Sequence, residues 1–403
     1  MTAYTSVLRH PTLRLIAAMM LLLGMHNASV YPYQSLIAIE RIGLSKPTFS
    51  LLLVMASLVG VFASVLFGVW SDHHGHRRRI AVATCFCSTA GIAMIVLHPG
   101  PLTFWIGQGV LLPLAWSIYG QLFTLARLVS PDEGRARDQM LGGIRALLSV
   151  GFLAMLMVWT LAFAMGADVM AIYLTGGLAS LGMSLAVIFW PVDGPMQNTQ
   201  QGPGLAQSFR DIAHPYILSR LLFCGALASA GGVFFVLVSL VFEASPLRGP
   251  GDVALYIGMV AGWEVPFMLV LPRFTHKMPR ATAMALSAVV YAAHLGLMPL
   301  LCDTPLVWAL PILAGGGGAV ILMLPIPYYQ DLVAGRPGTA AALLALQKLV
   351  VDCLTAGIFA LGSAVGGFQT VAVIGTGVAL TGALCLYLAD RQNWFATMAE
   401  PKI

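Results

Sequence analysis

The chain has 403 residues, of which 59% are hydrophobic and only 9% charged, and its mean hydropathy is +0.86. A water-soluble domain carries about 25% charged residues, so most of this exterior must meet lipid. The net charge of +5 comes from Lys and Arg scattered between apolar runs, which excludes a nucleic-acid face and assigns the charge to loops.

A helix crossing about 30 Å of hydrocarbon needs about 20 apolar residues. Twelve such runs are predicted: 13–39, 47–70, 79–98, 102–128, 138–165, 168–190, 214–242, 252–273, 281–300, 305–332, 339–365 and 367–390. A transmembrane barrel is excluded, because strands of about 10 alternating residues do not give long unbroken apolar runs. The first run follows Arg9 and Arg14 as a signal peptide would. It is longer than the 7–15 residues of a signal core and has no A-x-A cleavage site, so it reads as a retained span.

Span one carries "MHNASVYPYQ". Asn27, Tyr31 and Gln34 stand at i, i+4 and i+7, one helical face. Pro32 removes a backbone hydrogen bond and should kink the helix above His26. His26 is a candidate proton site, with a hydrogen-bonded structural histidine as the alternative. The loop after span two reads "GVWSDHHGHRRR", with Gly68, Asp72, Gly75 and Arg77. Its glycines allow close packing, Asp72 can meet a helix N-terminus, and the arginines mark a cytoplasmic face. Span four offers Trp116, Tyr119 and Gln121 and ends "YGQLFTLAR" at Arg127. Arg145 follows on span five with no acid in its own span.

The widest polar gap, "PVDGPMQNTQQGPGLAQSFRDIAHP" at 191–215, falls after span six. It predicts two six-helix bundles, 1–190 and 214–391, a cytoplasmic linker at 191–213 and a tail at 392–403. Span seven adds little beyond Ser229, Phe234 and Phe235. Span eight contains "GMVAGWEVPFMLV", where Glu264 is the one charged residue. A rise of ~1.5 Å per residue counted from Arg273 puts Glu264 ~13 Å inside the membrane boundary. Pro266 cannot donate to the Gly262 carbonyl, so a protonated Glu264 has a free acceptor within one turn. Span ten has "GGGG" at 315–318, Pro325 and Pro327, then Tyr328, Tyr329, Gln330 and Asp331, with Arg336 beyond. Asp331 and Arg336 form a candidate inner-gate ion pair. Lys348 and Asp352 are an i, i+4 pair on span eleven, either a structural salt bridge or one that a proton breaks.

"YGQLFTLAR" and "YYQDLVAGR" match at Tyr119/Tyr328, Gln121/Gln330 and Arg127/Arg336, at identical spacing. Arg145 and Lys348 then follow in spans five and eleven. Parallel repeats of this kind characterise the major facilitator architecture. With both termini cytoplasmic, fifteen of the 21 Lys and Arg fall on the cytoplasmic side and three, Arg41, Lys46 and Arg248, on the other. That bias sets the orientation. The six cysteines fall in apolar runs or a loop and read as inert thiols.

The loop motif after span two resembles the motif of the major facilitators. "QLFTLAR", "GWEVPFML", "YYQDLVAGRPGTAA" and Arg145 with its approach "RDQMLGGIR" are similar to the bacterial sugar efflux transporter family, a branch of that superfamily. The resemblance implies an all-α polytopic membrane protein of the bacterial inner membrane, with twelve helices in two six-helix pseudo-repeats. It implies a gate at the span-two loop and a cavity lined by spans one, four, seven and ten. Solute contacts are then expected at Asn27, Tyr31, Gln34, Trp116, Tyr119, Gln121, Arg145, Glu264, Tyr328 and Gln330. Span five, "SVGFLAMLMVWTLAF", departs from many antiporters by lacking Gly-Pro, and Lys348 and Asp352 have no match in the family pattern.

The implied function is proton-coupled efflux of sugars or glycosides by a monomer without cofactor or metal. Glu264, Asp352, Lys348 and His26 are the candidate proton groups. The alternative is an exporter of drugs or other metabolites with the same fold, in which Glu264 binds a cationic solute. No H-E-x-x-H, G-x-S-x-G or Cys/His metal pattern supports an intramembrane enzyme.

Overall fold

The computed structural model describes residues 10–74, 77–129, 134–189, 214–271, 274, 277–333 and 337–399; among them, the side chains at 68–74, 77, 123–124, 127–129, 134–143, 145, 337–342 and 392–399 are not described. Twelve helices are long and apolar enough to cross a membrane: α1 (Pro11–Arg41), α2 (Lys46–Phe67), α3 (Arg78–Leu97), α4 (Pro101–Leu122), α5 (Ala146–Ala164), α6 (Val169–Phe189), α7 (Pro215–Glu243), α8 (Pro250–Val270), α9 (Arg280–Leu301), α10 (Pro305–Leu332), α11 (Leu343–Val365) and α12 (Gly367–Arg391). Each falls on one predicted run. No strand occurs among the described residues. Large apolar side chains such as Leu51, Phe62, Leu161, Leu178, Leu269 and Val365 stand exposed. In water such a surface would associate; against acyl chains it is the ordinary exterior.

The chain divides into two compact units, Met1–Gln197 with Pro250–Leu255, and Asn198–Gly249 with Tyr256–Ile403. The sequence assigns all of α8 to the second half. Its first residues group instead with the first unit, where the Tyr33 hydroxyl donates to the Pro250 carbonyl at 3.0 Å. Gly251 lets that turn rest on Phe163 and Thr160 of α5.

The same helix pairs meet in each unit. In the first, α1 packs on α5 and α6, and α3 on α6; in the second, α7 packs on α11 and α12, and α9 on α12. Lipid supplies no hydrophobic drive between helices, so small residues that let backbones approach decide these contacts. A Cβ at Gly24 would lie 2.1 Å from the Leu148 carbonyl oxygen, and one at Gly151 would lie 2.2 Å from that of Leu21. The α1–α5 crossing is therefore closed reciprocally by two glycines. In the second unit Gly225 and Gly232 admit Val350 and Thr355 of α11, and Gly382 admits the α7 backbone at Leu227.

Three helices are interrupted, two of them, α4 and α10, at matching places. In α1 the turn at Tyr31–Tyr33 is a 3₁₀ segment, with Pro32 at its centre, and Ile37–Arg41 is a π segment. In α4 a π segment at Gly107–Leu111 precedes a break at 115–116, before the helix resumes at Ser117. In α10 the helix ends at Met323 and restarts at Pro325. The α4 and α10 breaks each lie a few residues before the matched tyrosines, Tyr119 and Tyr328. Interrupted helices leave backbone groups unpaired, which a membrane tolerates only where protein or water meets them.

The "GGGG" run serves two neighbours. A Cβ at Gly317 would lie 2.7 Å from the Ser287 oxygen and 2.9 Å from the Tyr291 nitrogen of α9, whereas Gly315 and Gly318 face α8. Gly317→Leu must push two backbones apart and should destabilise the protein by about 1–3 kcal/mol. Thermal unfolding in detergent checks this: the midpoint should fall clearly for Gly317→Leu and stay near wild type for Gly377→Leu, where a Cβ meets nothing within 4 Å.

Candidate functional site

In the first unit the polar groups predicted on α1 meet partners on α4. The Trp116 indole Nε1 donates to the Tyr31 hydroxyl oxygen at 2.5 Å. The indole can sit there because α2 has Gly60 opposite it: a Cβ at position 60 would lie 2.1 Å from Trp116 Cε3. Gln34 Nε2 donates to Gln108 Oε1 at 3.3 Å, and Gln108 Nε2 donates to the Tyr173 hydroxyl at 2.7 Å. Gln108 is thus oriented by α6, and it in turn orients Gln34. Neither the Asn27 amide nor the Gln34 carbonyl oxygen makes a hydrogen bond among the described residues, and both side chains are half-buried. The set presents uncharged donors and acceptors without an ion pair.

Sequence reasoning missed Gln108 and Tyr173. The signal was available: "IGQGV" puts one amide inside an apolar run. It also left His26 with two readings. The ring is buried, and its Nδ1 lies 3.1 Å from the Gly176 carbonyl oxygen, to which it donates. Gln121 is buried, with Nε2 3.5 Å from the Phe67 carbonyl, and Tyr119 is exposed.

In the second unit Glu264 and Trp263 lie against the glycines of α10. A Cβ at Gly315 would lie 2.5 Å from Trp263 Cβ, and one at Gly318 would lie 2.8 Å from Glu264 Oε1. The carboxyl group therefore rests on bare backbone. It is half-buried and makes no hydrogen bond or ion pair among the described residues. Pro266 sits inside the helix two residues on. Gly318 is the repeat counterpart of Gly109, counted from the matched tyrosines. At Gly109 the nearest atom to a Cβ is the Met55 methyl carbon, at 2.5 Å. One glycine receives a thioether tip, the other a carboxylate.

The remaining predicted residues separate. Lys348 Nζ and Asp352 Oδ2 pair at 2.7 Å along α11, as the spacing requires. Asp331 pairs with Arg280 at the start of α9, and Arg280 also donates to the Pro327 carbonyl at 2.7 Å. Tyr328 is buried and donates to Asp390 Oδ1 on α12 at 3.1 Å, so its hydroxyl is engaged within the bundle. Gln330 is exposed. Gly75 and Arg336 lie outside the described residues. Gly68, Asp72, Arg77, Arg127 and Arg145 fall on described backbone, but their side-chain surroundings lie outside what is described. Sequence reasoning also passed over His294, whose Nε2 lies 2.9 Å from the Tyr256 hydroxyl in a cluster with Phe234 and Tyr291. A single histidine in "YAAHLGL" gives no sign of such a cluster, which three helices assemble.

The family profile described as the Major Facilitator Superfamily matches residues 16–353. A putative sugar efflux transporter of Deinococcus radiodurans is 24% identical over 92% of this chain and 96% of its own length. Sugar efflux transporter A of Escherichia coli K12 is 25% identical over 94% of each. The crystal structure of the nucleoside transporter NupG superposes with a TM-score of 0.79 at 14% identity, over 94% of this chain and 99% of that one. A bacterial homolog of the lysosomal transporter Spinster superposes with a TM-score of 0.70 at 13% identity, over 94% and 96%. These two structures share the fold. With twelve membrane-spanning helices in two matched bundles and a profile match over most of its length, the chain belongs to the Major Facilitator Superfamily and is a multi-pass membrane transporter.

Proposed function

We propose that the chain exports neutral sugars or glycosides in exchange for protons. The observation that carries this reading is a division of chemistry: the first unit offers an uncharged indole, phenol and amide set, and the second offers a lone carboxyl group at Glu264. Amides and phenols give and accept hydrogen bonds without demanding a charged solute. Aromatic faces suit the C–H side of a sugar ring. The names of the curated relatives support the solute class.

Glu264 carries the exchanged proton, protonated in one access state and ionised in the other. Proton and solute must bind the two states with different affinities, or neither drives the other. Pro266 frees the Gly262 carbonyl to accept from the protonated acid. The Lys348–Asp352 pair is a second place where a proton can break an ion pair. The loop after α2, with Gly68, Asp72, Gly75 and Arg77, gates the cytoplasmic side together with Arg127, Arg336 and the Asp331–Arg280 pair. The Lys and Arg bias supports cytoplasmic termini; on this reading the chain acts as a monomer in the bacterial inner membrane.

One observation favours a second reading. Glu264 follows Trp263 in the chain, and the Trp263 and Phe267 rings lie 6.2 Å apart. An acid with aromatic neighbours also suits a cationic drug. Counterflow in proteoliposomes separates the two: disaccharides should exchange and cationic drugs should neither exchange nor compete.

Glu264→Gln should keep sugar exchange and lose efflux driven by a pH gradient. Coupling through Glu264 is wrong if the variant keeps both with the pH dependence of wild type. Trp116→Phe removes the hydrogen bond to Tyr31, worth about 1 kcal/mol. Its half-saturation concentration for sugar exchange should rise roughly 3–10-fold; an unchanged value removes the Trp116–Tyr31 pair from the site.

A further inference from the structure

Polar groups that the function above leaves unused gather on one side of α9. Tyr291 and His294 lie one turn apart there. The His294 ring meets Phe234 of α7 at 4.9 Å between centroids and Tyr291 at 5.4 Å, edge to face in both cases. Its Nε2 lies 2.9 Å from the Tyr256 hydroxyl of α8. Tyr291 also packs edge-on against Phe234, at 6.4 Å. The Tyr291 ring is thus held from two sides and is buried. Its hydroxyl makes no hydrogen bond among the described residues. Packing alone would be served equally by Phe, so packing does not explain the hydroxyl.

Two glycines clear the space beside this ring. A Cβ at Gly318 of α10 would lie 3.4 Å from Tyr291 Cε2 and 2.8 Å from Glu264 Oε1. Phenol ring and carboxyl therefore border the same bare stretch of helix. A Cβ at Gly231 of α7 would have one neighbour within 4 Å, the Tyr291 hydroxyl at 3.8 Å. The hydroxyl points to a gap that no side chain fills. Phe235, one turn beyond Gly231 on the same face, is 39% exposed, so this side of α7 is open.

We infer that Tyr291 is a solute-contacting residue of the second unit, acting with Glu264 on the hydroxyl and ring oxygens of a neutral sugar that seats beside Gly231. The inference rests on the sugar-transport reading above. A phenol can donate to a ring oxygen or accept from a hydroxyl, and the carboxyl accepts when ionised and donates when protonated. His294 and Phe234 are positioning residues that fix the ring. The bare backbone at Gly231 and Gly318 leaves room for the solute.

The test is counterflow of radiolabelled lactose, maltose and sucrose in proteoliposomes, with thermal unfolding measured on the same preparations. Tyr291→Phe keeps the ring and removes the hydroxyl. It should raise the half-saturation concentration about 3–10-fold, with an unchanged maximal rate and unfolding midpoint. Gly231→Val fills the gap and should block counterflow. Gly377→Val, on an exposed face of α12, should behave as wild type. If wild type exchanges a disaccharide and both Tyr291→Phe and Gly231→Val match its half-saturation, the inference falls alone. If wild type exchanges none of the three, the sugar reading falls and this inference with it. Should Gly231→Val fail to fold, the Tyr291→Phe half-saturation decides.

Discussion

A charged side chain at the middle of a lipid-spanning helix costs about 2.5–3.5 kcal/mol to insert unless it meets water, a partner or a cavity. Glu264 is such a group, and much of the second unit is arranged around it. The acid rests on Gly318, its neighbour Trp263 on Gly315, and Gly317 of the same run draws α9 close enough to bring Tyr291 alongside. Remove the glycines, and α8 and α9 cannot both approach α10. The carboxyl then loses its seat and the phenol its place beside it. A glycine-rich run in a helix is unfavourable for the helix itself, and here it serves the packing of three helices around one acid.

The two units apply one plan to different ends. Their helix pairings match, and both close the central crossing of their bundles with glycine against backbone or side chain. At the glycine shared by the repeat, the first unit places Met55 and the second Glu264. Gly60 of α2 is filled by the Trp116 indole, which bonds Tyr31, whereas in the second unit an acid rests on the glycine run of α10. In the proposed scheme the first unit contributes only uncharged solute contacts, and the second combines solute contact at Tyr291 with proton exchange at Glu264. Transporters of this architecture build their sites from broken helices, and α1, α4 and α10 are each interrupted.

Much of this was legible in the chain. Span number and limits follow from apolar length, because a lipid-crossing helix must satisfy its backbone internally. The 3₁₀ turn around Pro32 follows from a missing N–H. The Lys348–Asp352 pair follows from i, i+4 spacing, which needs only one helix to form. Contacts between helices were less legible. Nothing local to "GGGG" says that three of its glycines face α8 and one faces α9. Nothing local to Asp331 names Arg280, 51 residues earlier. Tyr119 and Tyr328 read alike in sequence, yet one is exposed and the other is buried against Asp390, because α12 supplies an acid to the second unit. Sequence symmetry predicts backbone placement better than side-chain use, since a single neighbouring residue redirects a hydroxyl.

The central claim is that solute leaves as a proton enters. The most direct measurement loads proteoliposomes with a disaccharide and a trapped pH-sensitive dye, then dilutes them into sugar-free buffer at equal pH. Antiport predicts that the interior acidifies as sugar leaves, and that no pH change occurs without the sugar gradient. Sugar efflux with a constant interior pH, or with an interior that turns alkaline, would contradict the account.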